Sequence, residues 1–153
     1  MSVILPGSYD PVTVGHLEII KRAAREFSEV YVVIFVNPKK TYRFSLEDRL
    51  RMLALATEEL DNVLVSYSDG LVVDYMREHG IEKIIKGYRT EADLPWEREQ
   101  AEWNARHGYD TELWQCDPEL RCVSSTLVRE CLDRGEDCSH LLPKSVCDYI
   151  KTL

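Results

Sequence analysis

No stretch of the 153 residues is apolar for long enough to cross a bilayer: the longest run, Val30 to Val36, is far shorter than the roughly 20 residues required. Basic charge is also in deficit. With 19 Lys and Arg against 27 Asp and Glu, the net charge is -8, which excludes a general nucleic-acid surface because such a surface must displace phosphate counterions with a basic face. Neither membrane nor nucleic acid is expected as a partner, and any anion site must be local. Paired cysteine is missing too: Cys116, Cys122, Cys131, Cys138 and Cys147 are odd in number and contain no Cys-x-x-Cys. Structural zinc and a disulfide framework are therefore not expected, and no residues are assigned to a protein-held metal. No basic segment or secretory apolar region precedes Val3-Ile4-Leu5, so the expected location is the cytoplasm. Repeats, low-complexity segments and linkers are absent, which leaves one domain over residues 1–153.

What is present begins with Gly7-Ser8-Tyr9-Asp10-Pro11-Val12-Thr13-Val14-Gly15-His16. It lies between a short apolar strand, Val3-Ile4-Leu5, and a helix in which Leu17, Ile20, Ala24 and Phe27 recur at helical spacing. A strand-to-helix turn with two glycines lets backbone approach a ligand, and the helix it opens directs unpaired N–H groups and positive dipole there. The expected guest is a phosphate, with His16 and Ser8 as donors on either side and Asp10-Pro11 setting the bend. No Gly-Lys-Ser or Gly-Lys-Thr closes the turn and its glycines are wrongly spaced for a dinucleotide fingerprint, so the phosphate is held in another way.

Strands and helices alternate along the rest of the chain. Val30 to Val36 is continuously apolar and predicts a central parallel strand covered on both faces. Lys39-Lys40-Thr41-Tyr42-Arg43 then forms a basic loop at its carboxyl end, a plausible anion clamp beside a phosphate turn. Ser45 caps a core-packed helix expected over Leu46 to Leu60. A third strand, Val63 to Tyr67, leads to a helix over Leu71 to His79 closed by Gly80. A short fourth strand, Glu82 to Ile85, is followed by the turn Lys86-Gly87-Tyr88-Arg89, where two cations flank a glycine. The helix from Asp93 to His107 carries Glu97 and Asn104 on one face, able to reach a cleft, while Trp96, Trp103 and Tyr109 read as packing. Thr111 to Cys116 alternates as a fifth strand. Ser124-Ser125-Thr126 then opens a helix, and an ordinary N-cap and a second phosphate site explain it equally well. Five strands alternating with helices imply an α/β fold with a single doubly wound, five-stranded parallel sheet.

The order Gly-Ser-Tyr-Asp-Pro-x-Thr-x-Gly-His resembles the signature of the HxGH nucleotidyltransferases, in the form with threonine, here Thr13, at the first histidine position. That form is similar to bacterial phosphopantetheine adenylyltransferase, and the likeness spans essentially the whole chain. It implies a Rossmann-like nucleotidyltransferase that moves the adenylyl group of ATP, carried with Mg2+, onto 4'-phosphopantetheine, yielding dephospho-coenzyme A and pyrophosphate. A homohexamer is implied as well. The catalytic positions that correspond are His16, Lys40 and Ser8. ATP-binding positions are Ser8, Tyr9, His16, Gly87, Tyr88, Arg89, Glu97, Leu120, Arg121, Cys122, Val123, Ser124, Ser125 and Thr126; acceptor positions are Ser8, Lys40, Val72 and Lys86. Lys86 stands where arginine is usual, which replaces bidentate recognition with a point charge. Tyr88 replaces leucine, and Leu94-Pro95-Trp96-Glu97 replaces Phe-x-Tyr-Glu. The alternatives are a relative acting on nicotinate mononucleotide or a small alcohol phosphate, and a nucleotide sensor without turnover.

Overall fold

Two-residue alternation along the first strand decides which side of the sheet each side chain joins. In β1 (Ser2–Gly7), Val3 and Leu5 enter one hydrophobic core and Ile4 the other, all buried. The computed structural model covers residues 1–153. It adds β2 (Glu29–Phe35), β3 (Val63–Ser68), β4 (Lys83–Tyr88) and β5 (Asp110–Gln115). All neighbouring strands are parallel, in the order β3-β2-β1-β4-β5, so the expected doubly wound sheet is the one observed. The middle strand is β1, not β2. Continuous apolarity marks a strand covered on both faces, and β2 is one, but it does not say where in the sheet interior the strand lies.

The helices follow from right-handed crossovers. α1 (Val14–Glu26) and α2 (Leu46–Ala56) connect strands stepping one way across the sheet. α3 (Val72–His79) and α4 (Leu94–Arg106) connect strands stepping the other way, and so fall on the opposite face. α5 (Ser125–Asp133) and α6 (Lys144–Ile150) return to the first face. Its core joins Ile19, Ile20, Met52, Leu53, Val128 and Val146 to Val3, Leu5 and Val32; the smaller opposite core joins Tyr75 and Met76 to Ile4, Val33 and Ile84. Each such large side chain stabilises the fold by about 2 kcal/mol. No helix is long and apolar enough to cross a membrane. The direction of winding reverses between β1 and β4, which leaves a crevice at their carboxyl ends.

Among the boundaries that differ from expectation, the following have a local reason. α1 starts at Val14, because Thr13 is its N-cap; Gly15 and His16 therefore sit inside the first turn. α2 stops at Ala56, where the Thr57 hydroxyl donates to the Leu53 carbonyl at 2.8 Å and the chain leaves the helix. β4 continues through Lys86-Gly87-Tyr88 instead of turning there, because Lys86, Gly87 and Tyr88 remain in register with Leu113, Trp114 and Gln115 of β5.

Candidate active site

The turn that leaves β1 is shaped by its own side chains. Tyr9 has φ 48°, a left-handed conformation unusual for a bulky residue, and its ring folds back over Gly7. A Cβ at Gly7 would lie 3.0 Å from that ring. The Tyr9 hydroxyl donates to the Leu5 carbonyl at 2.9 Å, and burial pushes its pKa well above the usual phenol range. Tyr9 is thus a buttress for the turn. The Asp10–Pro11 peptide is cis.

Asp10, 4% exposed, ties this turn to two other segments. Its carboxylate accepts the backbone N–H groups of Arg43 at 2.9 Å and Phe44 at 3.0 Å, which fixes the end of the basic loop. Arg129 of α5 donates to the Asp10 carbonyl at 2.8 Å and lies 3.9 Å from the carboxylate. From the other side Arg49, 2% exposed, donates to the carbonyls of Phe44 and Ser8, both at 3.1 Å, and stacks on Tyr42. The Ser125 hydroxyl closes the set by donating to the Pro11 carbonyl at 2.7 Å. Sequence reasoning did not single out Arg49 or Arg129. A signal existed for the first: Arg49 falls on the apolar stripe of Leu46, Leu50 and Leu53, where a charge requires a buried partner.

His16 and Thr13 cap α1 reciprocally. The His16 backbone N–H donates to the Thr13 hydroxyl at 3.3 Å, and the Thr13 backbone N–H donates to His16 Nδ1 at 3.0 Å. Burial, with Lys86 and Arg89 nearby, lowers the His16 pKa from 6.5 to about 4. The ring is therefore neutral at pH 7, and with Nδ1 accepting, the proton is on Nε2. His16 lines a cleft of 670 Å³, so this N–H donor belongs to a cleft wall. The Tyr9 ring supports it edge-on, with centroids 5.0 Å apart.

That cleft brings together most of the sequence-derived positions: Tyr9, His16, Lys40, Lys86, Gly87, Tyr88, Arg89, Glu97, Leu120, Val123, Ser124, Ser125 and Thr126 all line it. Arg121 and Cys122 are exposed and lie outside the lining, because the short 3-10 turn at Pro118–Leu120 directs Leu120 inward and those two outward. At the start of α5 the Ser124 hydroxyl accepts the Leu127 N–H and the Ser125 hydroxyl is held by Pro11. The donors left for a ligand include the Ser125 and Thr126 N–H groups, which have no intrahelical acceptor. Gly87 allows close packing: a Cβ there would sit 3.1 Å from Ile19 Cγ1, where α1 crosses β4. Asp93 accepts the backbone N–H groups of Thr90 and Arg89 at 3.1 and 3.3 Å, which lowers its pKa and fixes the turn after β4.

A second cleft, of 630 Å³, lies on the α3–α4 side and holds the remaining positions. Ser8 opens onto this one and not onto the first, since Tyr9 turns the backbone between them. Val72, Phe35, Leu71 and Ile84 give it an apolar side, and Gln100, Asn104 and Thr111 a polar one. Only Pro6, Gly7, Lys86 and Glu97 line both clefts. Trp96 and Trp103 correct the packing expectation: they are 62% and 38% exposed, at the first and second cleft respectively. They were misjudged because α4 buries no residue at all, so its aromatics have no core to enter. Tyr109 does pack against the smaller core.

The arrangement can hold an extended anion along the first cleft and a second group beside it, with neutral and cationic donors where they meet. A crystal structure of a protein assigned as a nicotinate-nucleotide adenylyltransferase of Vibrio parahaemolyticus superposes with a TM-score of 0.73 at 15% identity, over 99% of this chain and 91% of that one. At that identity the likeness shows the fold, a Rossmann-like nucleotidyltransferase fold. The profile of the cytidylyltransferase-like family matches residues 4–131, which takes in the phosphate turn, both cleft walls and the start of α5. The chain belongs to the cytidylyltransferase-like family of nucleotidyltransferases.

Proposed function

We propose that this nucleotidyltransferase moves the adenylyl group of ATP to 4'-phosphopantetheine, in coenzyme A biosynthesis, with ATP in the first cleft and the acceptor in the second. The observation that carries this reading is the common wall: two ligand-sized clefts meet only at Pro6, Gly7, Lys86 and Glu97, at the carboxyl ends of β1 and β4. An acceptor phosphate and the ATP α-phosphate can be brought together there. A phosphate oxygen of the acceptor attacks the α-phosphorus, the bond from that phosphorus to the bridging oxygen breaks, and pyrophosphate leaves with the Mg2+ that ATP brought. The acceptor phosphate is already ionised, so no general base is needed. Catalysis then consists of positioning and charge stabilisation, supplied by His16 Nε2–H, Lys40, Lys86, Ser8 and the first N–H groups of α5.

Acceptor choice rests on the second cleft. Its apolar side, Phe35, Leu71 and Val72, opposite Gln100, Asn104 and Thr111, suits an arm that alternates aliphatic and amide groups. A second reading, nicotinate mononucleotide as acceptor, is favoured by Trp103, an exposed aromatic face at the same cleft, and by the structural likeness to the Vibrio protein. Thr13 in place of histidine supports the first. For assembly, the homohexamer implied by the sequence resemblance would cover Leu64 and Tyr67, which β3 leaves exposed at the sheet edge.

Pyrophosphate release from MgATP, and from MgCTP because of the family's name, should be measured with 4'-phosphopantetheine, with nicotinate mononucleotide and with no acceptor. Release only with ATP and phosphopantetheine is expected. Release only with nicotinate mononucleotide moves the function to the second reading. ATP binding without release from any pair leaves a nucleotide sensor.

A further inference from the structure

Glu97 has an incomplete environment. Its side chain is 15% exposed, and Oε2 is buried without any hydrogen-bond partner. The nearest cation is Lys86 Nζ, 3.8 Å from that same oxygen, which is within Coulombic reach and beyond hydrogen-bond length. These two are the only charged residues shared by both clefts. A buried carboxylate that attracts an ammonium without bonding it restricts where the four-carbon stem points, yet leaves all three N–H donors free.

We propose that Glu97 is a positioning residue for the acceptor, holding the Lys86 ammonium at the junction so that its donors meet the acceptor phosphate. The proposal rests on reading the clefts as nucleotide and acceptor sites, and it moves Glu97 from the ATP contacts implied by sequence resemblance to the acceptor step. Lysine suits this role better than arginine would. A guanidinium fork would pair with Glu97 in bidentate fashion, using two of its five N–H donors and fixing the plane of the rest, whereas a compact ammonium aimed by one partner keeps its donors free to turn toward another. No residue of α4 is fully buried, and Glu97 is the one that meets the Lys86 ammonium where the clefts join, so it is also the point at which that helix acts on the chemistry.

The test compares wild type with Glu97→Gln, Lys86→Met and the double variant in two assays. In the first, needing no substrate, the rate of reductive methylation of each lysine is followed by mass spectrometry. Glu97→Gln should speed modification of Lys86 about threefold or more while leaving Lys83, held by Glu112 at 3.0 Å, unchanged; an unchanged Lys86 rate overturns the proposal whatever the acceptor is. In the second, with whichever phosphate acceptor supports pyrophosphate release, Glu97→Gln should raise the acceptor KM about tenfold and the MgATP KM less than twofold. The same change should have no further effect in the Lys86→Met background, as coupled neighbours are non-additive. A larger change in the MgATP KM, or full additivity, overturns the proposal. Absence of release with every acceptor would fail the proposed function alone, since the methylation result still decides the role of Glu97.

Discussion

The phosphate turn and helix α4 border the same cleft and are held in opposite ways. The backbone and carboxylate of the turn are tied to separate segments: Asp10 to Arg43, Phe44 and Arg129, the Ser8 carbonyl to Arg49, and the Pro11 carbonyl to Ser125. α4 has no fully buried residue and lies against β4 and β5 with its outer side exposed. Rigid donors belong where charge develops in the transition state, since they need no reorganisation there. An exposed helix over the second cleft can adapt to the length and shape of an acceptor at little cost in stability. The difference between these regions separates what the reaction requires from what the substrate requires.

Removing His16 probes the rigid side most directly. His16→Ala should slow pyrophosphate release about a hundredfold, roughly 3 kcal/mol of barrier, with folding little changed; a loss below threefold would remove His16 from the phosphate site. Asp10→Ala should lower stability by about 2 to 4 kcal/mol in denaturant titration, because it leaves the buried Phe44 N–H and the partly buried Arg43 N–H without their acceptor and removes the carboxylate facing Arg129, which keeps its bond to the Asp10 carbonyl. A cost under 0.5 kcal/mol, by the usual size of surface effects, would mean that the turn is not pinned as described.

The His16 ring gives a smaller but sharper reading. Its folded pKa, about 4, lies below the unfolded value of 6.5, so the unfolded chain binds more protons between those values. The neutral ring costs nothing above pH 6.5, and stability is lost as pH falls from 6.5 through 4. NMR titration of the ligand-free protein should place the His16 midpoint near 4; a midpoint near 6.5 would break the tautomer argument. On the adaptable side, Trp96→Ala should change stability by less than about 0.5 kcal/mol, as befits an exposed side chain. A loss above 1.5 kcal/mol would show that α4 is anchored after all, against the contrast with the turn.

The phosphate turn was legible because its chemistry is local. Glycine, the hydroxyl cap Thr13 and His16 three residues later act within one turn of chain, so their order alone carries the geometry. The sheet was legible for the same reason, through short-range alternation and apolar runs. Tyr9 and Ser8 show the limit: adjacent in sequence and both implied for ATP, with Ser8 implied for the acceptor as well, they face different clefts, Tyr9 the first and Ser8 the second. The tryptophans of α4 were misread because packing is the default for an aromatic only where a core exists to receive it. Arg49 was passed over because helical periodicity registers apolar residues and treats a charge among them as noise.

By itself the sequence determined the strand–helix alternation, the single doubly wound sheet and the strand-to-helix turn that carries His16, since each depends on residues a few positions apart. Only the tertiary structure decided that there are two clefts, which residues separate them, and that Lys86 of β4 lies against Glu97 of α4. Those features depend on how far β4 stays paired with β5 and on where the exposed helix α4 comes to rest, and neither distance is written in the spacing of residues along the chain.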